Sequence, residues 1–340
     1  MRLTRGADFP AGRWGLIVVI VGLSACGARA LVEDRTGTAG TGAGGGGVAG
    51  TSGTAMDAGG PYDASPGQCS TTNAPPGPFS FLSAGNEGSC GVRTDGTLAC
   101  WGETYFFSLP DPFPGTYTHV SRHGGVCAVQ ASGALSCWGA SDSRLTPVPA
   151  GVFAEVAIGE SVACARRADG TVACWGGGAN VPPGYSFESL TGGAYFFCGL
   201  ERAAHDIVCW EPRYQGEGVQ IKSGPFVAVD TGRFFACGLR TDGSVSCWPA
   251  SIPPGLGGSD TSGMLSPPPG PFVELSVGEF HGCGRRADGQ VDCWGSNSYG
   301  QSTPPAGVSF THVSAGSNHT CGVLPDGNAI CWGGSCNPWG

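Results

Sequence analysis

A pair of cysteines recurs seven times along this chain, and tryptophan directly follows the second cysteine of every pair. Successive pairs begin 34 to 46 residues apart, and each unit opens with an aromatic residue that has Leu or Val three positions later. In six units a glycine stands six positions after that aromatic residue. The pairs are Cys90/Cys100, Cys127/Cys137, Cys164/Cys174, Cys198/Cys209, Cys237/Cys247, Cys283/Cys293 and Cys321/Cys331. Seven degenerate copies of one unit predict a repeat architecture.

The spacing within each pair predicts a β-hairpin joined by a disulfide. In the first unit, a type I turn with a glycine bulge at Thr94-Asp95-Gly96 places Arg93 opposite Thr97. Counting outward brings Cys90 opposite Cys100 at a non-hydrogen-bonded pair, where the Cα atoms of antiparallel strands lie closest. A disulfide can bridge that distance. The fourth unit has one extra residue between its cysteines and no Asp-Gly, which predicts a longer turn there.

Repeated cysteines can alternatively bind zinc, but zinc ligands usually stand two to four residues apart and the chain has no CxxC. We therefore predict structural disulfides, no metal and no cofactor. Seventeen cysteines also indicate an oxidising compartment. Cys69 and Cys336 flank the repeats, and the two end segments together resemble one linker between repeats cut in two. This predicts a Cys69–Cys336 bond that fastens the last unit to the first in a closed ring.

Units of about 38 residues with short strands and no helical period are typical of β-propeller blades. The predicted fold is all-β, a seven-bladed propeller with one disulfide-linked hairpin per blade. A small residue follows every first cysteine, which we expect to let neighbouring sheets approach, while the tryptophans fill the gaps between blades. Arg166 and Arg285 stand where other units have Val or Leu, so that face is either partly hydrated or its arginines reach the end of the blade.

The N-terminus predicts export. Three arginines among the first 13 residues precede the apolar run Leu16–Leu23, which is shorter than the span of about 20 residues that a membrane helix needs. The tetrad Leu23-Ser24-Ala25-Cys26 resembles a bacterial lipobox. That resemblance implies a signal peptide over 1–25, cleavage before Cys26 and lipidation of its sulfur and its new amine. The alternative is an ordinary secreted protein cleaved near Ala25 or Ala30.

Residues 26–76 predict a tether, because Thr36–Gly60 is mostly Gly, Ala and Thr and has almost nothing to bury. The propeller would then occupy 77–340. Gly27 follows Cys26, and a residue other than Asp at that position favours the outer membrane in enteric lipoproteins. We expect an exported monomer that contacts the membrane only through its lipid.

The repeats resemble the regulator of chromosome condensation family over about residues 79–332. The features that carry the resemblance are hairpins of the form C-G-[VL]-x-x-D-G-x-[VL], a closing Trp-Gly, and the glycines Gly85, Gly159, Gly193, Gly232, Gly278 and Gly316. The resemblance implies a seven-bladed propeller of the bacterial exported type, to which the cysteine pairs are an addition. Nucleosome binding is not expected, since a net charge of −9 and a single lysine, Lys222, are unsuited to nucleic acid.

No catalytic signature is present in the sequence, since it contains no HExxH, G-x-S-x-G or P-loop. Aromatic residues instead collect in loops and in the segments before the first cysteines, and blades 4–6 would present them at one end of the ring. The candidate binding residues are Tyr105, Phe106, Phe107, Tyr195, Phe196, Phe234, Phe235, Phe280 and His281. Alternate members of each pair can instead point into the core.

These residues predict a non-enzymatic protein-interaction module at the cell envelope, because aromatic anchors often dominate protein interfaces. The alternative is a propeller that binds or cleaves envelope polysaccharide. A carboxylate pair or an aromatic platform at the channel mouth would favour that alternative. A flat aromatic loop face without converging acids would favour the protein partner.

Overall fold

The computed structural model describes residues 74–86, 88–102, 109–139, 145–177, 180–211, 219–250 and 263–334. The predicted signal peptide, Cys26, the tether up to residue 73, the loop aromatics Tyr105, Phe106 and Phe107, and the proposed Cys69–Cys336 bond lie outside these ranges. The part of the chain that the structure describes contains no helix long and apolar enough to cross a bilayer.

The described residues form seven antiparallel sheets, which follow one another along the chain as blades 1 to 7. Blades 1 to 3 comprise β1 (Phe79–Ala84), β2 (Gly88–Arg93), β3 (Leu98–Gly102), β4 (Tyr117–Arg122), β5 (Val126–Gln130), β6 (Leu135–Trp138), β7 (Glu155–Ile158), β8 (Val162–Arg166) and β9 (Val172–Gly176). Blade 4 has four strands, β10 (Phe187–Gly192), β11 (Phe197–Glu201), β12 (Ile207–Trp210) and β13 (Gln220–Lys222). Blades 5 to 7 comprise β14 (Phe226–Thr231), β15 (Phe235–Arg240), β16 (Val245–Pro249), β17 (Glu274–Val277), β18 (His281–Arg285), β19 (Val291–Gly295), β20 (His312–Ala315), β21 (His319–Val323) and β22 (Ala329–Gly333).

Seven apolar clusters lie in the seams between consecutive blades and close the ring. In the seam between blades 2 and 3, Leu135 packs with Phe153 and Trp175 of the next blade. The last seam joins blade 7 to blade 1, where Val323 packs with Leu82. The predicted seven-bladed propeller is therefore confirmed, as is the placement of the tryptophans between blades.

The hairpin register follows the sequence prediction. The Arg93 N–H donates to the Thr97 carbonyl at 2.8 Å, and Cys90 faces Cys100 with a Cα–Cα distance of 4.0 Å. The longer turn of blade 4 places His205 at φ 56°, in the left-handed region.

One disulfide joins the second and third strands of every blade, as the cysteine spacing predicts. The seven bonds are Cys90–Cys100, Cys127–Cys137, Cys164–Cys174, Cys198–Cys209, Cys237–Cys247, Cys283–Cys293 and Cys321–Cys331. The two cysteines of a pair differ in their surroundings. The first is fully buried in every blade, whereas the second is half-buried in six blades and buried only in blade 4, where Cys209 is 3% exposed beneath the fourth strand.

The glycine six positions after the opening aromatic is required by the next blade. A Cβ atom on Gly278 would lie 2.0 Å from the carbonyl oxygen of Gly316, and one on Gly193 would lie 2.1 Å from that of Gly232. The small residue after the first cysteine has a different reason from the one expected. A Cβ on Gly199 would lie 2.3 Å from the ring of Phe187 in the same blade, so this position accommodates mainly the blade's own opening aromatic residue.

Candidate functional site

The innermost strand of every blade lines a central channel with a volume of about 420 Å³. At one end, which we call the inner-turn end, short turns join the innermost strand to the middle strand; those of blades 4 to 6 contain residues 193–196, 232–234 and 278–280. The disulfide-linked hairpins turn at the opposite end, which we call the hairpin end. Because each blade repeats the same register, equivalent residues of different blades lie at the same height along the channel.

Three half-buried aromatic residues form a row at the inner-turn end. Tyr195, Phe234 and Phe280 occupy the same position in blades 4, 5 and 6, three residues before the first cysteine. The ring centroids of Tyr195 and Phe234 are 5.8 Å apart, and those of Phe234 and Phe280 are 6.3 Å apart. The Arg233 guanidinium carbon lies 5.6 Å from the Tyr195 ring centroid and 5.4 Å from that of Phe234. We call Tyr195, Phe234 and Phe280 the aromatic row.

The other three predicted aromatic positions of these blades do not reach the surface. Phe196, Phe235 and His281 are 2%, 1% and 0% exposed. Each stands two residues before a fully buried first cysteine, so its side chain points into the core with that cysteine rather than into solvent. Of the predicted binding residues in blades 4 to 6, only those of the aromatic row remain candidates for a binding surface.

Charged side chains from opposite sides of the ring meet across the inner-turn end. Arg233 of blade 5 contacts Glu279 of blade 6 at 3.1 Å and Glu160 of blade 3 at 3.9 Å. The Arg233 guanidinium also donates to the Tyr195 hydroxyl at 3.1 Å. His123 of blade 2 lies 4.0 Å from Glu279, and burial lowers the pKa of His123 despite that carboxylate. Sequence reasoning missed this network, although Glu160 and Glu279 hold the same position in their repeats.

Nearer the hairpin end, two carboxylates of the channel wall pair with arginines across the strands. Arg166 contacts Glu155 at 2.9 Å, and Arg285 makes the same cross-strand contact with Glu274. These pairs explain the two arginines at apolar repeat positions, which are neutralised and only 14% and 20% exposed. Burial raises the pKa of Glu155 although Arg166 is bonded to it.

Two histidines on the same level of the channel differ in protonation. His312 contacts the Glu274 carboxylate through Nδ1 and the Leu82 carbonyl through Nε2. Although burial opposes it, Glu274 raises the pKa of His312. Burial, together with Arg166, lowers the pKa of His119 to about 4. His312 is thus held as the imidazolium and His119 as the neutral ring.

Deeper in the channel, Asp230 links three blades. Its carboxylate accepts the Thr191 hydroxyl at 2.6 Å and the backbone N–H of Val277 at 2.7 Å. Burial raises the pKa of Asp230 despite these bonds. The carboxylates of the channel are therefore engaged in holding blades together. Within the described ranges, no group of three His, Cys, Asp or Glu side chains is placed to hold a metal ion.

A sequence model of the Regulator of chromosome condensation (RCC1) repeat matches residues 272–301 and 310–337, which cover blades 6 and 7. The chain carries RCC1-like repeats. The matched segments contain the opening phenylalanine and the glycine that recur in six blades, and the Cys-Trp pair that recurs in all seven.

Similar solved structures share the fold of this RCC1-like propeller. The CRINKLY WD40 ectodomain of the Arabidopsis thaliana receptor kinase ACR4 is 24% identical, covers 76% of this chain and 96% of its own, and has a TM-score of 0.62. The ectodomain of the Physcomitrella patens receptor kinase CR4 is 24% identical over 76% of this chain and 73% of its own, with a TM-score of 0.59. Human WBSCR16 is 11% identical over 77% and 88%, with a TM-score of 0.53.

Proposed function

We propose that this RCC1-like propeller is an exported, lipid-anchored protein-interaction module of the cell envelope without enzymatic activity. Export is supported by the seven disulfides, which persist in oxidising compartments, and by the signal-like N-terminus. The lipobox-like tetrad ending at Cys26 supports the lipid anchor. Two of the similar folds belong to receptor ectodomains, which agrees with an extracytoplasmic propeller.

The aromatic row with Arg233 carries the proposal of a protein partner. Aromatic residues and arginine are enriched among the residues that dominate binding energy at protein interfaces. The three rings project from tight turns next to disulfide-linked strands, so little conformational freedom is lost when a partner binds. The neighbouring polar groups Glu160, Glu279 and the Tyr195 hydroxyl form a rim around the rings.

Polysaccharide binding is the second candidate, since a row of rings beside two carboxylates lies at a channel mouth. The arrangement of Arg233 favours the protein partner. Its guanidinium contacts both Glu160 and Glu279, whereas glycoside cleavage needs one acid and one base on opposite sides of the bond. The same guanidinium lies over the rings of Tyr195 and Phe234, so among the three rings only Phe280 has no arginine of the described residues over it that could block stacking with a sugar.

The test compares capture of envelope proteins by the oxidised mature chain and by a Phe234→Ala/Phe280→Ala variant. Val152→Ala is the matched control, because Val152 is 69% exposed and lies against the hairpin turn of blade 2. For the partner that wild type captures, we expect the double variant to lose at least about tenfold in affinity and the control to retain it. Equal affinity of all three proteins would contradict the proposal, and loss of binding to purified envelope polysaccharide instead would establish the second candidate.

A further inference from the structure

Among the residues that the structure describes, side chains cross one end of the central channel and leave the other end open. At the inner-turn end, the contacts from His123 to Glu279 and from Arg233 to Glu160 run between blades that are not neighbours, so these side chains cross the mouth. At the hairpin end, blades 4 and 5 contribute only Ser189 and Ala228 at the level where the other blades carry Phe, His or Glu. The channel is therefore a pocket entered from the hairpin end, and its volume of about 420 Å³ falls in the range of small-molecule sites.

The floor of this pocket contains buried polar atoms that have no hydrogen-bond partner among the described residues. Asn86 Oδ1 and His123 Nδ1 are buried, line the channel and make no hydrogen bond with the described residues. The His123 side chain is only 11% exposed. Leaving a buried polar group unpaired is unfavourable, and a hydrogen-bonding ligand would remove that cost. The two residues belong to adjacent blades, so one molecule can reach both.

Above the floor, the same side of the channel presents hydroxyl groups. Ser314, Ser83 and Ser121 occupy equivalent positions in blades 7, 1 and 2, and each Oγ accepts a backbone N–H of the next blade at 2.9, 2.9 and 3.2 Å. Accepting that bond leaves every hydroxyl with its own proton to donate. The structure shows no hydrogen bond from these three hydroxyls to another described residue. Three hydroxyl groups that can donate hydrogen bonds therefore lie above Asn86 Oδ1 and His123 Nδ1, and we call them the serine row.

The top of this wall is aromatic, and the two carboxylates at its level are already paired with arginines. The Phe81 ring lies between His119 and His312, with centroid distances of 4.8 and 5.2 Å. His119 Nδ1 accepts the Val156 N–H at 3.5 Å, so the proton of the neutral ring is on Nε2. Glu155 and Glu274 are each paired with an arginine. The wall therefore offers hydrogen-bond partners to hydroxyl groups and an aromatic surface to the apolar face of a sugar ring.

We infer that the channel binds a neutral, hydroxyl-rich small molecule of the size of one or two sugar rings. Its hydroxyls bond to Asn86 and His123 at the floor and to the serine row, and its apolar face lies against Phe81. A free sugar and the end of a saccharide chain share this chemistry. The site is separate from the aromatic row and does not depend on the proposed protein partner.

The experiment titrates the oxidised mature chain with glucose, N-acetylglucosamine and maltose, using calorimetry and saturation-transfer NMR. Glucuronate and glucosamine serve as charged probes of similar size. We expect saturable binding of at least one neutral sugar and at least about tenfold weaker binding of the charged probes. Tighter binding of maltose than of glucose would indicate a chain end, and the reverse a free sugar.

Two variants localise the site. Ala228→Phe copies the residue that blade 1 carries as Phe81 and narrows the open mouth, while Val273→Phe adds the same ring at a position that is 52% exposed outside the channel. Ala228→Phe should weaken sugar binding at least about tenfold and Val273→Phe should not. Asn86→Leu should also abolish binding while making the free protein no less stable. Absence of saturable binding by every neutral sugar, or equal binding by Ala228→Phe, would overturn the inference.

Discussion

His281 makes the seam between blades 6 and 7 sensitive to acid. The Thr320 hydroxyl donates to the Gln301 carbonyl at 2.9 Å, so its oxygen accepts the Nε2–H of His281 at 2.8 Å. His281 Nδ1 is buried without a hydrogen-bond partner among the described residues. A proton on Nδ1 would therefore be a buried charge with no acceptor. Burial, with a smaller contribution from His319, lowers the pKa of His281 to about 3.

The sign and size of the effect follow from this shift. In the unfolded chain this histidine has an ordinary pKa of about 6.5. Between about pH 6.5 and pH 3 its ring is therefore protonated in the unfolded chain and neutral in the folded protein. Stability is therefore lost as the pH falls through that window. From about pH 7 to about pH 4, His281 alone accounts for roughly 3 kcal/mol.

The perturbation is His281→Phe, because blades 4 and 5 carry the buried residues Phe196 and Phe235 at the equivalent position. The variant removes the titrating group, and Thr320 keeps its bond to the Gln301 carbonyl. We expect its loss of stability between about pH 7 and pH 4 to be roughly 3 kcal/mol smaller than that of wild type.

The assay is guanidinium unfolding at both pH values with the disulfides intact. The control is His205→Asn, since His205 is exposed at φ 56° in a turn where asparagine is tolerated. The control should lose as much stability in acid as wild type does. If His281→Phe also loses as much as wild type, the protonation of His281 does not act on folding and the reasoning is refuted.

Two other substitutions test the seams, and a mass map tests the proposed closing disulfide. Glu274 raises the pKa of His312, so this pair stabilises the folded protein fully below about pH 6.5 and less as the pH rises through the folded pKa. Glu274→Gln should therefore flatten the fall in melting temperature between about pH 6 and pH 9. An unchanged slope would contradict the pairing. Gly278→Ala should cost about 1–3 kcal/mol in urea unfolding, because its Cβ would lie 2.0 Å from a carbonyl oxygen of the next blade; wild-type stability would refute the close approach. Peptide mass mapping of the non-reduced protein should recover a Cys69–Cys336 crosslink, and free thiols at both residues would exclude it.

The hairpins were predictable because their geometry is local. Once the turn at Asp95-Gly96 is recognised, its register dictates the Cys90–Cys100 pair without reference to the rest of the ring. The pairing of Glu155 with Arg166 could not be predicted in the same way, because it requires the register between the first two strands of the blade, across an irregular turn. The sequence therefore predicted the hairpins and the blade number, and left the arginines of the channel unexplained.

Within the candidate site, the buried members of the aromatic pairs were predictable in principle. Residues two apart in a strand share a face, so Phe196 points the same way as the buried Cys198, and Phe235 the same way as Cys237. The contact between Arg233 and Glu160 could not be anticipated, since it joins blades 3 and 5 and depends on the curvature of the closed ring. The alternation of side chains along a strand therefore predicts which rings are buried, whereas contacts across the channel can be identified only in the folded propeller.

Each disulfide stabilises both its own hairpin and the apolar seam between its blade and the next. The first cysteine of each pair is wholly buried and belongs to the apolar cluster between its blade and the next, as Cys164 does beside Phe187. Closing an 11-residue loop contributes about 3 kcal/mol by restricting the unfolded chain. Replacing Cys164 and Cys174 with alanine would therefore remove that contribution and also leave a void against Phe187. Because the same bond fixes a hairpin and fills a seam, the rings at the inner-turn end and the hydroxyls of the channel keep their spacing in a chain that is 18% glycine.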